Sequence, residues 1–80
     1  MKVEVLGAGC PRCEQTHRNI INAAAELGIA AEIDYITDVN AIAQRGMLRT
    51  PAVIVDGKVV IEGRIPSPRE AKDLLAKYNK

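Results

Sequence analysis

Both cysteines of the chain fall in the segment GAGCPRC, residues 7–13, as Cys10 and Cys13. Thiols separated by two residues can hold a metal ion, close a local bridge, or exchange electrons with a disulfide in another molecule. A Cys10–Cys13 bridge closes a loop too short to restrain the unfolded chain much, so stapling is a poor reason for the pair. Metal handling has one further donor at hand, His17, which gives the spacing C-x2-C-x3-H. A structural zinc takes four ligands, and the chain holds only two cysteines and one histidine.

Bulk composition narrows the setting. Eighty residues with 48% hydrophobic content are expected to form a single domain spanning residues 1–80. Eleven basic and ten acidic side chains leave a net charge of +1. The aromatic residues are Tyr35 and Tyr78 alone, so neither the positive stripe nor the stacking platforms of a nucleic-acid surface are present. The start, MKVEVLGAGC, has the pattern of neither a secretory leader nor a membrane span. A cytoplasmic location is expected, where thiols stay reduced and a structural disulfide is out of place.

The elements that must position the cysteines follow from local pattern. KVEVL, residues 2–6, is a short β-branched run bounded by glycine and predicts a strand. A helix should begin at the cysteines. Pro11 suits its first turn, Gly28 its end, and Cys13, Thr16, His17, Ile20, Ala24 and Leu27 share one face. Residues 29–36 predict a second strand with Ile33 and Tyr35 on one side, and Asp38 to Gly46 a short capped helix. AVIVDGKVVIEG predicts a hairpin turning at Asp56-Gly57. Ser67, Pro68 and Glu70 have the spacing of a capping box that opens a last helix, with Ala71, Leu74, Leu75 and Tyr78 as its apolar face. The order β-α-β-α-β-β-α predicts an α/β fold with a four-stranded mixed sheet and helices on both faces.

A CxxC at the start of the first helix, Thr50-Pro51 just ahead of the third strand, and a closing hairpin and helix resemble the thioredoxin-like fold. MKVEVLGAGCPRC and TPAVIVDGKVVIEG are similar to the small glutaredoxin-like thioredoxins, the redox-active disulfide protein 2 or thioredoxin-3 domain family. The resemblance covers essentially the whole chain and implies a thiol–disulfide oxidoreductase with no metal or organic cofactor. It implies a cis bond at Thr50-Pro51, and a substrate backbone guided by Thr50 and Pro51 beside Pro11 and Arg12. It also implies that Glu4, six residues before Cys10, corresponds to a buried acid that moves a proton for Cys13. An outward-facing strand carboxylate is the competing expectation for Glu4. Gly9 stands where thioredoxins place an aromatic residue, so that docking surface is missing.

Physical chemistry supports the same assignment of roles. A helix N-terminus presents unpaired amides and positive potential, which lowers the pKa of a thiol held there, and Arg12 adds a charge nearby. Cys10 is therefore the expected nucleophile and Cys13, one turn further in, the more buried resolving thiol. A disulfide-containing protein is the expected substrate, a reductase of the thioredoxin-reductase type or a small thiol the expected reductant, and a monomer the expected state. The alternative is a small metal-binding or metal-transfer protein using the same CxxC. Such domains usually end in a strand, whereas this chain ends in a capped helix. Two further residues keep two explanations each: Gly63 leaves room for a substrate chain or simply turns, and Arg64 faces partner acids or solvent.

Overall fold

The computed structural model describes residues 1–9, 11–46 and 49–78. Seven elements run along the chain: β1 (Lys2–Leu6), α1 (Pro11–Leu27), β2 (Glu32–Ile36), α2 (Val39–Gln44), β3 (Ala52–Val55), β4 (Lys58–Glu62) and α3 (Pro68–Tyr78). They form one four-stranded sheet in the order β2-β1-β3-β4. β1 pairs in parallel with β2 and antiparallel with β3, and β3 pairs antiparallel with β4. The mixed sheet and the element order are those predicted.

Alternation along the two central strands builds a core on each face. Val3 and Val5 of β1 and Val53 and Val55 of β3 are buried on one side, against Ile20, Ala23 and Ala24 of α1 and Ala71 and Leu75 of α3. Leu6, Ala52 and Ile54 point to the other side and meet Ile42 of α2. Every residue of β3 is buried, as a central strand covered on both faces requires. Each such side chain contributes about 1.5–3 kcal/mol relative to exposure, which is how an 80-residue chain sustains a fold.

Local chemistry ends the elements where the sequence suggests. The Asp38 side chain accepts from the Asn40 amide and caps α2. Asp56 and Gly57 have φ of 50° and 84°, the left-handed pair that a tight two-residue hairpin demands. The Asp56 carboxylate also accepts from the Lys2 amide at 2.8 Å, which ties the hairpin tip to the start of β1. The Ser67 hydroxyl accepts from the Glu70 amide, so the predicted cap of α3 forms.

Three details depart from expectation. β2 starts at Glu32 rather than residue 29, because Ile29 and Ala31 use their amides to leave α1, bonding to the carbonyls of Ala24 and Ile29. Leu27 is 39% exposed, since the buried stripe of α1 ends at Ala24. Asn19 is buried instead: its amide donates to the Pro66 carbonyl at 2.8 Å and its oxygen accepts from Gln15, which clamps α1 to the segment entering α3. No helix among the described residues is long and apolar enough to cross a membrane.

Arg64 is not simply solvated. Both its terminal nitrogens meet the Glu70 carboxylate. That hydrogen bond, with the Arg64 charge and the Ser67 backbone amide, holds the Glu70 carboxyl below its ordinary value of 4.5 against an opposing burial effect. A carboxyl lowered by folding stabilises the native state above its unfolded pKa, and the benefit is lost as pH falls through the folded value. Denaturant midpoints measured between pH 3 and 6 should therefore drop below about 4.5 in the wild type, and part of that drop should vanish in Glu70→Gln. A second expectation concerns the core: Leu75→Ala, at a fully buried position, should cost about 2–5 kcal/mol in urea unfolding.

Candidate active site

Strand register, more than any single contact, gathers the site. Leu6, the last residue of β1, lies opposite Ala52, the first of β3, and Ala52 in turn lies opposite Glu62, the last of β4. One residue beyond these ends stand Gly7, Pro51 and Gly63. Gly7 donates its amide to the Ile36 carbonyl at the end of β2, and Gly63 donates to the Pro51 carbonyl, both at 2.9 Å. Four strand ends thus converge on one edge of the sheet, and α1 begins a few residues past Gly7, at Pro11.

Cys13 occupies the first turn of α1 and is fully buried. Its side chain fills the space a Cβ on Gly7 would take: the three atoms nearest to such a carbon are Cys13 Sγ, Cβ and Cα. Thr16, one turn further on, is also fully buried, and its hydroxyl donates to the Arg12 carbonyl at 3.0 Å. Pro11 and Arg12 are exposed in the same turn. Pro51 is buried, Thr50 is exposed, and the Thr50–Pro51 bond is cis, as expected. Cys10, the expected nucleophile, lies outside the described residues.

Positive potential is concentrated at this edge. The amides of the first turn of a 17-residue helix have no intrahelical partner and carry the positive end of its dipole. Arg12 adds a full charge, with Glu14 in the same turn partly opposing it. Arg49 contributes another cationic side chain, because its stem lies across Gly63. A Cβ on Gly63 would sit 3.1 Å from Arg49 Cδ, and its φ of 77° already favours glycine, so the turn and the close approach both explain this residue. Sequence pattern offered no signal for Arg49, nor for the contact between Gly7 and Cys13.

The structure pairs Glu4 with Arg45 on the face of the sheet opposite α1. Alternation along β1 puts Glu4 on the α2 side, whereas Val3 and Val5 face α1. Its carboxylate receives Nη2 of Arg45, at the end of α2, at 2.8 Å and Nε at 3.4 Å. The hydrogen bond to Glu4 holds the Arg45 guanidinium above its ordinary value, with burial opposing and the charges of Glu4 and Asp34 adding. Arg45 also donates to the Ala41 carbonyl, so the ion pair fastens the last turn of α2 onto β1. His17, the further metal donor, stacks on Tyr35 of β2 with ring centroids 4.5 Å apart. Among the described residues no group of three or more His, Cys, Asp and Glu side chains is placed to hold a metal ion.

Known proteins are similar to this sequence over almost its whole length. The thioredoxin domain family model matches residues 1–76. A thioredoxin of Methanocaldococcus jannaschii is 47% identical over 76 residues, which cover 95% of this chain and 87% of that protein. A thioredoxin of Methanothermobacter thermautotrophicus is 37% identical over 76 residues, covering 95% of this chain and 99% of its own. With a family match over residues 1–76 and identity of this extent to two thioredoxins, the chain belongs to the thioredoxin domain family and is a thiol–disulfide oxidoreductase.

Proposed function

We propose that this protein reduces or exchanges disulfides through a Cys10–Cys13 dithiol, with Cys10 as nucleophile and Cys13 as resolving thiol. The observation that carries this is the burial of Cys13 in the first turn of α1, just after the place where the chain enters the helix. Cys10 holds that preceding place in the chain, where unpaired amides and Arg12 favour a thiolate. A buried second thiol is shielded from outside reagents, and along the chain it is three residues from the first.

The chemistry proceeds in two exchanges. The Cys10 thiolate attacks one sulfur of the substrate disulfide, so that a Cys10–substrate bond forms, the substrate S–S bond breaks, and one substrate thiolate leaves and takes up a proton. Cys13 then loses its proton and attacks Cys10 Sγ. The Cys10–Cys13 bond forms, the mixed disulfide breaks, and the second substrate thiolate leaves. Two electrons pass to the substrate, and a donor must return two to the protein: one reductase dithiol, or two molecules of a small thiol that leave as their own disulfide. Thr50 and Pro51, with Pro11 and Arg12, line the path by which the substrate chain approaches. No metal or organic cofactor takes part, and the protein is expected to act as a cytoplasmic monomer on disulfide-containing proteins.

Site-resolved alkylation of the reduced, metal-free protein against pH tests this assignment. Cys10 should react quickly with a lowered pKa while Cys13 stays protected. Equal, ordinary reactivity at both thiols, with copper or zinc shielding them together, would instead support metal handling. Cys13→Ser should accumulate a stable mixed disulfide with substrate, and Cys10→Ser should lose exchange altogether.

Glu4 admits a separate test, because its ion pair with Arg45 and its place on the α2 face favour a structural part. Glu4→Gln should lower stability only slightly, as loss of one partly exposed ion pair would, and leave the exchange rate near neutral pH unchanged. A slowed exchange with unchanged stability would return Glu4 to proton transfer.

A further inference from the structure

Gly7 is the one glycine among those described whose absence of a side chain is explained by packing alone. Gly9, Gly28, Gly46, Gly57 and Gly63 all have positive φ, and the first four of these have no atom within 4 Å of an added Cβ. Gly7 has no positive φ and sits in the sheet hydrogen-bond pattern, with its amide on the Ile36 carbonyl. Alanine would suit that backbone. It is excluded because Cys13 Sγ and Cβ already fill the space, closer than real Cβ atoms approach a neighbour.

We infer that Gly7 is a positioning residue for the resolving step: the missing methyl at the end of β1 is the seat that fixes Cys13 Sγ. This rests on the assignment of Cys13 as resolving thiol. Several observations make the seat rigid on every side but one. Gly7 cannot retreat, since its strand is hydrogen-bonded on both edges, to β2 and to β3. The turn of α1 that carries Cys13 cannot retreat cheaply, since Thr16 and Ile20 below it are fully buried and Asn19 bonds to Pro66. A methyl at residue 7 must therefore move the Cys13 side chain rather than the frame. Attack by Cys13 on Cys10 needs its sulfur in line with the mixed disulfide, and misplacement by about 1 Å can cost on the order of 100-fold in rate. The first exchange uses Cys10 alone and does not need the seat.

An aromatic disulfide such as 5,5′-dithiobis(2-nitrobenzoate) separates the two steps. Attack by Cys10 forms a mixed disulfide and releases one coloured thiolate; closure by Cys13 forms the Cys10–Cys13 bond and releases the second. In Gly7→Ala the first release should stay within about two-fold of wild type, while the second slows by at least about ten-fold, in keeping with that sensitivity to misplacement. Unchanged rates in both phases, or equal slowing of both, would overturn the inference.

A second measurement keeps it decidable if Gly7→Ala folds poorly. Cys13→Gly removes both atoms that the new methyl overlaps, so the two substitutions must be coupled. The loss in denaturant midpoint caused by Gly7→Ala should largely disappear in the Cys13→Gly background, and equal loss in both backgrounds would refute the seat. A wild-type protein that released neither coloured thiolate would defeat the dithiol mechanism itself, and the coupling measurement would still decide whether Gly7 seats Cys13.

Discussion

The pairing of Leu6 with Ala52 is the contact on which the site depends. It sets β1 against β3 so that the outgoing end of one strand meets the incoming end of the other. A slip of one residue would turn the alternating side chains of β1 to the wrong faces, exposing Val3 and Val5 and burying Lys2 and Glu4 against α1. It would also carry Gly7 away from Pro51. The register is protected by burial on both sides of β3, because Val53 and Val55 fit one core while Ala52 and Ile54 fit the other. The energy that specifies the chemical edge is thus spread through the apolar residues of two cores, remote from the thiols.

That separation suits a reactive group. The thiol at Cys10 is expected to meet solvent and substrate, whereas Gly7, which Cys13 packs against, and Thr16 and Ile20 further along α1 are buried. Asn19 contributes in an unusual way for a buried polar side chain. Both ends of its amide are satisfied, one by Gln15 on its own helix and one by the Pro66 carbonyl, so it adds a directional tie between α1 and the entry to α3 without an orphaned group. The surrounding Ile20, Ala23 and Leu75 contacts are apolar and would tolerate sliding; the Asn19 bond does not.

Features written into neighbouring residues were legible from the sequence, and those that join distant segments were not. The Asp56-Gly57 turn, the Asp38 and Ser67 caps, and the start of α1 at Pro11 each depend on a few consecutive residues with strong local preferences. The cis bond at Thr50-Pro51 was legible only through resemblance, since local preference alone favours trans. The partner of Glu4 lies 41 residues away and that of Asn19 lies 47 away, and no periodicity connects them. Leu27 misled because helical spacing extends the apolar stripe past Ala24, where the buried side of α1 ends. The first glycine of GAG belongs to the sheet pattern and is small for the sake of a side chain six residues later.

The edge also bears on what the protein accepts. A cationic rim of Arg12 and Arg49 surrounds a mouth that lacks the aromatic residue thioredoxins place before the first cysteine, since Gly9 stands there. Arg64 does not add to this rim, because Glu70 neutralises it and ties it to α3. Two arginines with freely solvated heads attract anionic groups weakly at ordinary salt, more as a bias on encounter than as a lock. Under the proposed mechanism, selection among disulfides would fall to backbone pairing and to the speed of the second exchange. Under that mechanism the speed would depend on how firmly Cys13 is held, which would make the seat proposed at Gly7 a control on turnover.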